Sequence, residues 1–188
     1  EAVPNPVFDQ AIDASPEKEP MYFRRYWGGG LTYMNITEEF QGRTLTSFEP
    51  NLMFKMTGPG VLFDGPPVDL EINLGWQPPP YYEDKFNADA TGFYSIGSLM
   101  LINPLSDSPS GMLYYSFGIT YNFSAFKVDF KNPSSDDRKF DAQKLTAGVA
   151  FGVGYAVNLG DNAIRIEGKY YYEVEQYVSV GISYQVGM

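Results

Sequence analysis

The sequence predicts an all-β fold, an eight-stranded antiparallel up-and-down barrel, on three observations. Apolar and other residues alternate with a period of two along successive segments, which marks strands with two unlike faces. Clusters of Gly, Pro, Asn, Ser and Asp punctuate those segments, as turns require. The 188 residues include 15 Tyr, 14 Phe, 2 Trp and 19 Gly, a composition suited to strands and short turns. No helix-period run of useful length competes.

Residues 1–20 stand apart from the barrel domain, 21–188. Pro4, Pro6, Pro16 and Pro20, among several acids, read as an extended segment. If its own barrel or a neighbouring subunit holds this segment, Val7, Phe8 and Ile12 are the anchors it offers.

The strands follow in order. Trp27 to Ile36 and Leu45 to Met56 alternate imperfectly. From Val68 to Trp76 the split is complete: Val68, Leu70, Ile72, Leu74 and Trp76 oppose Asp69, Glu71, Asn73 and Gly75. Gly92 to Ile102 is again less regular. Leu113, Tyr115, Phe117, Ile119, Tyr121 and Phe123 form one apolar face, but past Ser124 the parity changes to Phe126, Val128 and Phe130, which predicts a bulge or break. Leu145 to Leu159, Ile164 to Tyr172 and Val178 to Met188 complete the set. Turn chemistry lies between them, for example Gly58-Pro59-Gly60, Asn103-Pro104 through Gly111 and Gly160-Asp161-Asn162. Eight strands joined in sequence by turns fit an up-and-down barrel.

Composition removes much chemistry. The chain has no Cys and no His, so disulfides, thiolate catalysis, His-dependent triads and His-ligated zinc are excluded. A net charge of -10 argues against a nucleic-acid footprint. No apolar stretch reaches the roughly 20 residues of a membrane-spanning helix. Residue 1 is Glu, which fits an exported chain whose signal peptide has been removed.

Alternation alone does not say which face is wet, but the polar faces do. Thr146, Gly148, Ala150, Gly152, Gly154 and Ala156 on one strand, and Ser179, Gly181, Ser183 and Gly187 on another, are small. A soluble surface would carry long charged side chains there, whereas a crowded eight-stranded interior needs small ones. Asp69 and Glu71, with Arg165, Glu167 and Lys169, supply both signs for a paired interior network. Aromatic residues gather at strand ends: Trp76, Tyr170 and Tyr172, and Tyr114, Tyr115, Tyr121 and Phe123. A transmembrane barrel places aromatic girdles at such positions.

The pattern resembles the small eight-stranded outer-membrane barrels of Gram-negative bacteria, the class of the OmpA transmembrane domain and the OmpX/Ail group. Tyr184, Val186 and Met188, ending a run of alternate apolar residues from Val178, resemble the C-terminal assembly signal of such barrels. That signal usually ends in Phe or Trp, and here Met188 stands in its place. The resemblance implies a transmembrane β-barrel in the bacterial outer membrane. The enzymes known among membrane barrels need a catalytic His, which this chain lacks.

Asp69 and Glu71 are the one carboxylate pair with a formal catalytic reading, and nearby Arg and Lys favour a structural one. Gly152-Val153-Gly154 lacks the rest of a dinucleotide fingerprint, and the acidic pairs Glu38-Glu39, Glu83-Asp84 and Asp136-Asp137 lack the spacing of a calcium loop. No cofactor is expected. With both termini on the periplasmic side, connections near 37–44, 77–91, 130–140 and 173–176 face outward. The segment Gln77 to Phe86 is the most distinctive: exposed Tyr81, Tyr82 and Phe86 are the expected contact surface for a partner, and the alternative is a loop that folds back to cap the barrel. The expected function is a non-enzymatic structural or interaction protein in contact with outer-membrane lipid and with a protein partner or further copies of itself. The alternative is a soluble or secreted all-β subunit that assembles through its N-terminal segment.

Overall fold

The computed structural model describes residues 20–40, 43–61, 65–131, 139–174 and 176–188. A single 3-10 turn, Met21–Phe23, leads into β1 (Tyr26–Phe40) and β2 (Arg43–Gly58). Then come β3 (Val68–Gly75), a short helix α1 (Tyr81–Phe86) and β4 (Ala88–Asp107). The chain ends with β5 (Gly111–Phe130), β6 (Lys139–Leu159), β7 (Asn162–Tyr172) and β8 (Gln176–Gly187). Each strand pairs antiparallel with its neighbour in sequence, and β1 closes on β8 from Tyr26 opposite Gly187 to Met34 opposite Ser179.

The barrel is inside out relative to a soluble one. On β8 the buried residues are Tyr177, Ser179, Gly181, Ser183 and Gln185, while Val178, Val180, Ile182, Tyr184 and Val186 are exposed. β3 repeats this with Asp69, Glu71 and Asn73 fully buried and Ile72 and Leu74 outward. Trp27, Leu31 and Phe54 are all more than half exposed, at 55–57%. An apolar outer band around a polar interior is the arrangement that lipid selects.

The expected bulge at Ser124 is absent: β5 pairs with both neighbours without interruption from Tyr114 to Asp129. Even-numbered residues point inward throughout, from Tyr114, Ser116 and Thr120 to Phe126 and Val128. What changes is the surroundings. Outward positions pass from Phe117, Ile119 and Tyr121 to Lys127 and Asp129, so this end of the barrel stands in water and its lumen is apolar. The irregularity lies instead in β4, where the register shifts between Pro104 and Ser106. Tyr114 is likewise no girdle residue, because it points inward and is fully buried.

The strands are unequal, and that shapes the rim farthest from the termini. Towards that rim β2 loses its β3 partner above Leu52, and β4 loses it above Tyr94. β6 is unpaired with β7 above Val149, and β1 with β8 above Met34. Residues 43–51, 88–93, 139–148 and 35–40 therefore pair on one side only, which leaves two notches in the rim. The notch over β3 is one strand wide, and that over the β7–β8 hairpin is two strands wide.

Candidate functional site

The lumen is filled in three layers. Nearest the termini, Met21, Tyr26, Ile102, Met112, Tyr114, Ala156 and Ala163 form a cluster in which every residue is at most 2% exposed. Met21 reaches it because the 3-10 turn folds under the barrel, where the Tyr22 amide donates to Asp107 Oδ2 at 3.2 Å.

The middle layer is charged. Lys55 Nζ lies 2.9 Å from Asp69 Oδ2 and 3.3 Å from Glu71 Oε2, and it donates to Glu167 Oε2. Lys169 donates to Glu71 Oε2 and lies 3.8 Å from Glu167 Oε2. Arg165 Nη1 is 3.7 Å from Asp69 Oδ1, and its guanidinium sits over the rings of Tyr26 and Tyr114 at 5.8 and 5.3 Å. Neutral donors complete the layer: Thr57 Oγ1 to Asp69 Oδ1 at 2.5 Å, Tyr114 Oη to Glu167 Oε1 at 2.6 Å and Asn73 Nδ2 to Glu71 Oε1 at 2.8 Å. Lys55, Arg165 and Lys169 thus balance Asp69, Glu71 and Glu167, three charges against three. Buried ions need this pairing, since taking each out of water costs several kcal/mol in itself, on the order of 5.

Asp69, Glu71, Arg165, Glu167 and Lys169 therefore sit together inside the barrel. Sequence reasoning missed Lys55, which is the hub. Its signal was available: Leu52, Phe54 and Met56 point outward, so Asn51, Met53, Lys55 and Thr57 point in, but the apolar Met53 disguises that row. As a catalytic pair Asp69 and Glu71 are poorly placed, because both are fully buried and each is committed to cations and neutral donors.

The third layer fills the lumen at the far rim, and it corrects the expected contact surface. Tyr81 and Tyr82 are 3% and 1% exposed, and Phe86 is partly buried against the same cluster. The three prolines Pro78, Pro79 and Pro80 turn the chain into α1, which ends on Asn87 in the left-handed region at φ 48°. Tyr82 packs on Phe126 with ring centroids 6.1 Å apart, and Tyr94 packs on the same ring at 6.4 Å. The segment thus fills the one-strand notch over β3 and presents Glu83, Asp84 and Lys85 to solvent.

The two-strand notch has no such filling among the described residues. Glu173 braces its base, accepting from Thr146 Oγ1 on β6 and from Tyr177 Oη on β8, each at 2.5 Å. Above that brace lies a shallow open depression of about 40 Å³, floored by Met34, Ile36, Ile96, Phe126 and Tyr177. Its margins are the one-sided strands 35–40 and 139–148. On the second of these Leu145 is 71% exposed.

Tyr184, Val186 and Met188 point outward into the apolar band of β8 and beyond it, at 50%, 39% and 61% exposure. Val7, Phe8 and Ile12 lie outside the described residues. No described group of acidic residues is arranged to hold a metal ion.

No protein-family model matches the chain, and no curated protein is similar to it in sequence. Solved structures are similar in fold. Ail, the attachment invasion locus protein of Yersinia pestis, in complex with the heparin analogue sucrose octasulfate, aligns with a TM-score of 0.57 at 11% identity, over 88% of this chain and 99% of that one. The N-terminal β-barrel domain of Pseudomonas aeruginosa OprF aligns with a TM-score of 0.50 at 10% identity, over 90% of this chain and all of that one. The chain has the fold of the small eight-stranded outer-membrane β-barrels.

Proposed function

We propose that this protein is a sealed, non-enzymatic barrel of the bacterial outer membrane that serves as an anchored interaction protein, and that its docking element is the notch over the β7–β8 hairpin. The observation that carries the reading is the pair of one-sided strands, 35–40 and 139–148, facing each other across two missing strand positions. At about 4.8 Å per strand that opening spans roughly 14 Å. An extended hairpin from a partner fits it, pairing through main-chain hydrogen bonds along both margins, with apolar side chains turned onto Met34, Ile36 and Phe126.

A polypeptide suits this rim better than a polyanion of the kind seen with Ail. Exposed Glu83, Asp84, Asp89, Asp129 and Asp141 are interspersed with Arg43, Lys85, Lys127 and Lys131, and Lys131 is drawn to Asp89 at 2.7 Å. The soluble-subunit alternative is disfavoured by the outward rows on every side of the barrel. The N-terminal segment, with Val7, Phe8 and Ile12, is a candidate second contact on the periplasmic side.

The experiment is selection of β-hairpin ligands against the protein in nanodiscs, followed by amide hydrogen exchange. Selected hairpins are expected to protect residues 35–40 and 139–148. Protection confined to α1 or to the turns beside the termini contradicts the reading.

A further inference from the structure

The two-strand notch and the β1–β2 hairpin flank one seam, where β1 closes on β8. Residues 35–40 of β1 rise beyond β8 and form one margin of the notch, while on their other side they pair with β2. Above the seam the hairpin therefore stands as a fin two strands wide, since β2 has lost β3 there. Beside it lies a gap of the same width, left by β7 and β8.

Among the described side chains, the outward face of that fin carries no charge. Alternation turns Leu45 and Glu49 inward, where both are buried, and leaves Thr44, Thr46, Phe48 and Pro50 outward on β2, beside Asn35 and Thr37 of β1. The Tyr33 and Phe48 rings lie within 12° of parallel with centroids 5.8 Å apart, and both are more than half exposed. The Thr37 hydroxyl bonds locally, 3.3 Å from Asn35 Oδ1 and 3.4 Å from Thr46 Oγ1. The fin built by β4, β5 and β6 is different, because its outward face shows Asp89, Lys127, Asp129 and Asp141 to water. A wall that stays in water is expected to be charged in that way. One made of aromatic and hydroxyl side chains, depleted of charge, has the composition of a protein interface.

We propose that the occupant of the notch is a second copy of this chain. Two barrels stand side by side in one membrane about a two-fold axis along the membrane normal at the β1–β8 seam, and the β1–β2 fin of each covers the notch of the other. The inference rests on the reading of the notch as the docking element. Because fin and notch lie on opposite sides of one seam, a single rotation sets each fin against a notch, which makes the patch self-complementary. Thr46 and Phe48 pair with Thr37 and Asn35, above the level where β1 leaves β8, so they stand at the height of the notch and face its apolar floor in the other copy. Below the rim, the rows that meet are Leu31 and Tyr33 of β1 and Val180 and Ile182 of β8, each more than half exposed and none charged. A foreign hairpin would fill the notch and leave the uncharged fin uncovered. A second copy covers both.

The chain has no Cys, so single substitutions report on the axis. Thr37 lies on the strand next to it, and Thr37→Cys in lipid vesicles is expected to give a reducible dimer on mild oxidation. Thr91→Cys, exposed on the other fin, is expected to stay monomeric in the same gel. Sedimentation equilibrium in density-matched detergent is expected to show a wild-type dimer. Thr46→Asp sets a carboxylate against the apolar floor of the other copy and is expected to weaken that dimer roughly tenfold or more, whereas Thr91→Asp keeps it. Heat-dependent gel migration checks that each variant closes its barrel. A monomeric wild type, or Thr37→Cys cross-linked no more than Thr91→Cys, overturns the proposal. In that case protection of 35–40 and 139–148 by selected hairpins leaves the docking reading standing with a different protein as occupant, and absence of protection removes both.

Discussion

Lys55 on β2 donates to Glu167 on β7 across the lumen, joining residues 112 apart in sequence. The two strands are not neighbours, so this contact exists only when the barrel has closed through β1 and β8. The charged layer therefore reports closure, and it sits between two apolar layers that keep water from its ions.

Removing the hub should be costly. Lys55→Met leaves three buried carboxylates facing two cations and is expected to destabilise the barrel by about 3–5 kcal/mol. Adding Glu167→Gln restores the balance at two against two, and the double variant should be more stable than the single one. Urea titration of protein folded into lipid vesicles measures both.

The closing seam depends on small residues. A Cβ on Gly28 or Gly30 would stand 2.0 or 1.9 Å from a carbonyl oxygen of β8, whereas one on Gly168 meets nothing nearer than 4.0 Å. Gly28→Ala and Gly30→Ala should weaken assembly of the heat-modifiable barrel, and Gly168→Ala should leave it near wild type. Gels run with and without boiling distinguish them.

Tyr82 should matter for packing, not as a surface contact. Tyr82→Ala empties the space beside Phe126 and is expected to cost about 3–5 kcal/mol. Exposed Glu83→Ala on the same helix should lie within about 0.5 kcal/mol of wild type. The same urea titrations compare them.

The filled lumen bears on permeation. Met21, Met112 and Tyr114, all at most 1% exposed, close one end, and the α1 layer occupies the other. Planar-bilayer recordings of the refolded protein are expected to show no steady open conductance.

Much of this was legible because strand period is a strong signal where the two faces differ. β3, β7 and β8 alternate cleanly, and their small or charged inward residues point to a crowded polar lumen. Sequence reading failed where the environment changes along one strand. On β5 the inward row turns apolar at Phe126 once the strand leaves lipid, which mimics a change of parity. Met53 hid the inward row of Lys55 in a similar way. Tyr81 and Tyr82 stay open between two readings in the sequence, because nothing local says whether a Pro-stiffened segment projects or folds back, and the space over β3 that receives them comes from strand lengths elsewhere in the chain.

The apolar outward rows of the barrel are expected to face lipid. Because the chain contains no Cys, a single one at Ile182, in the middle of the outward row of β8, can carry a bimane probe without competing sites. In vesicles of lipid with brominated acyl chains, bimane at Ile182→Cys is expected to be strongly quenched, and bimane at Thr91→Cys, exposed on the far rim, hardly at all. An unquenched probe at residue 182, in a protein that stays monodisperse without detergent, would contradict the account.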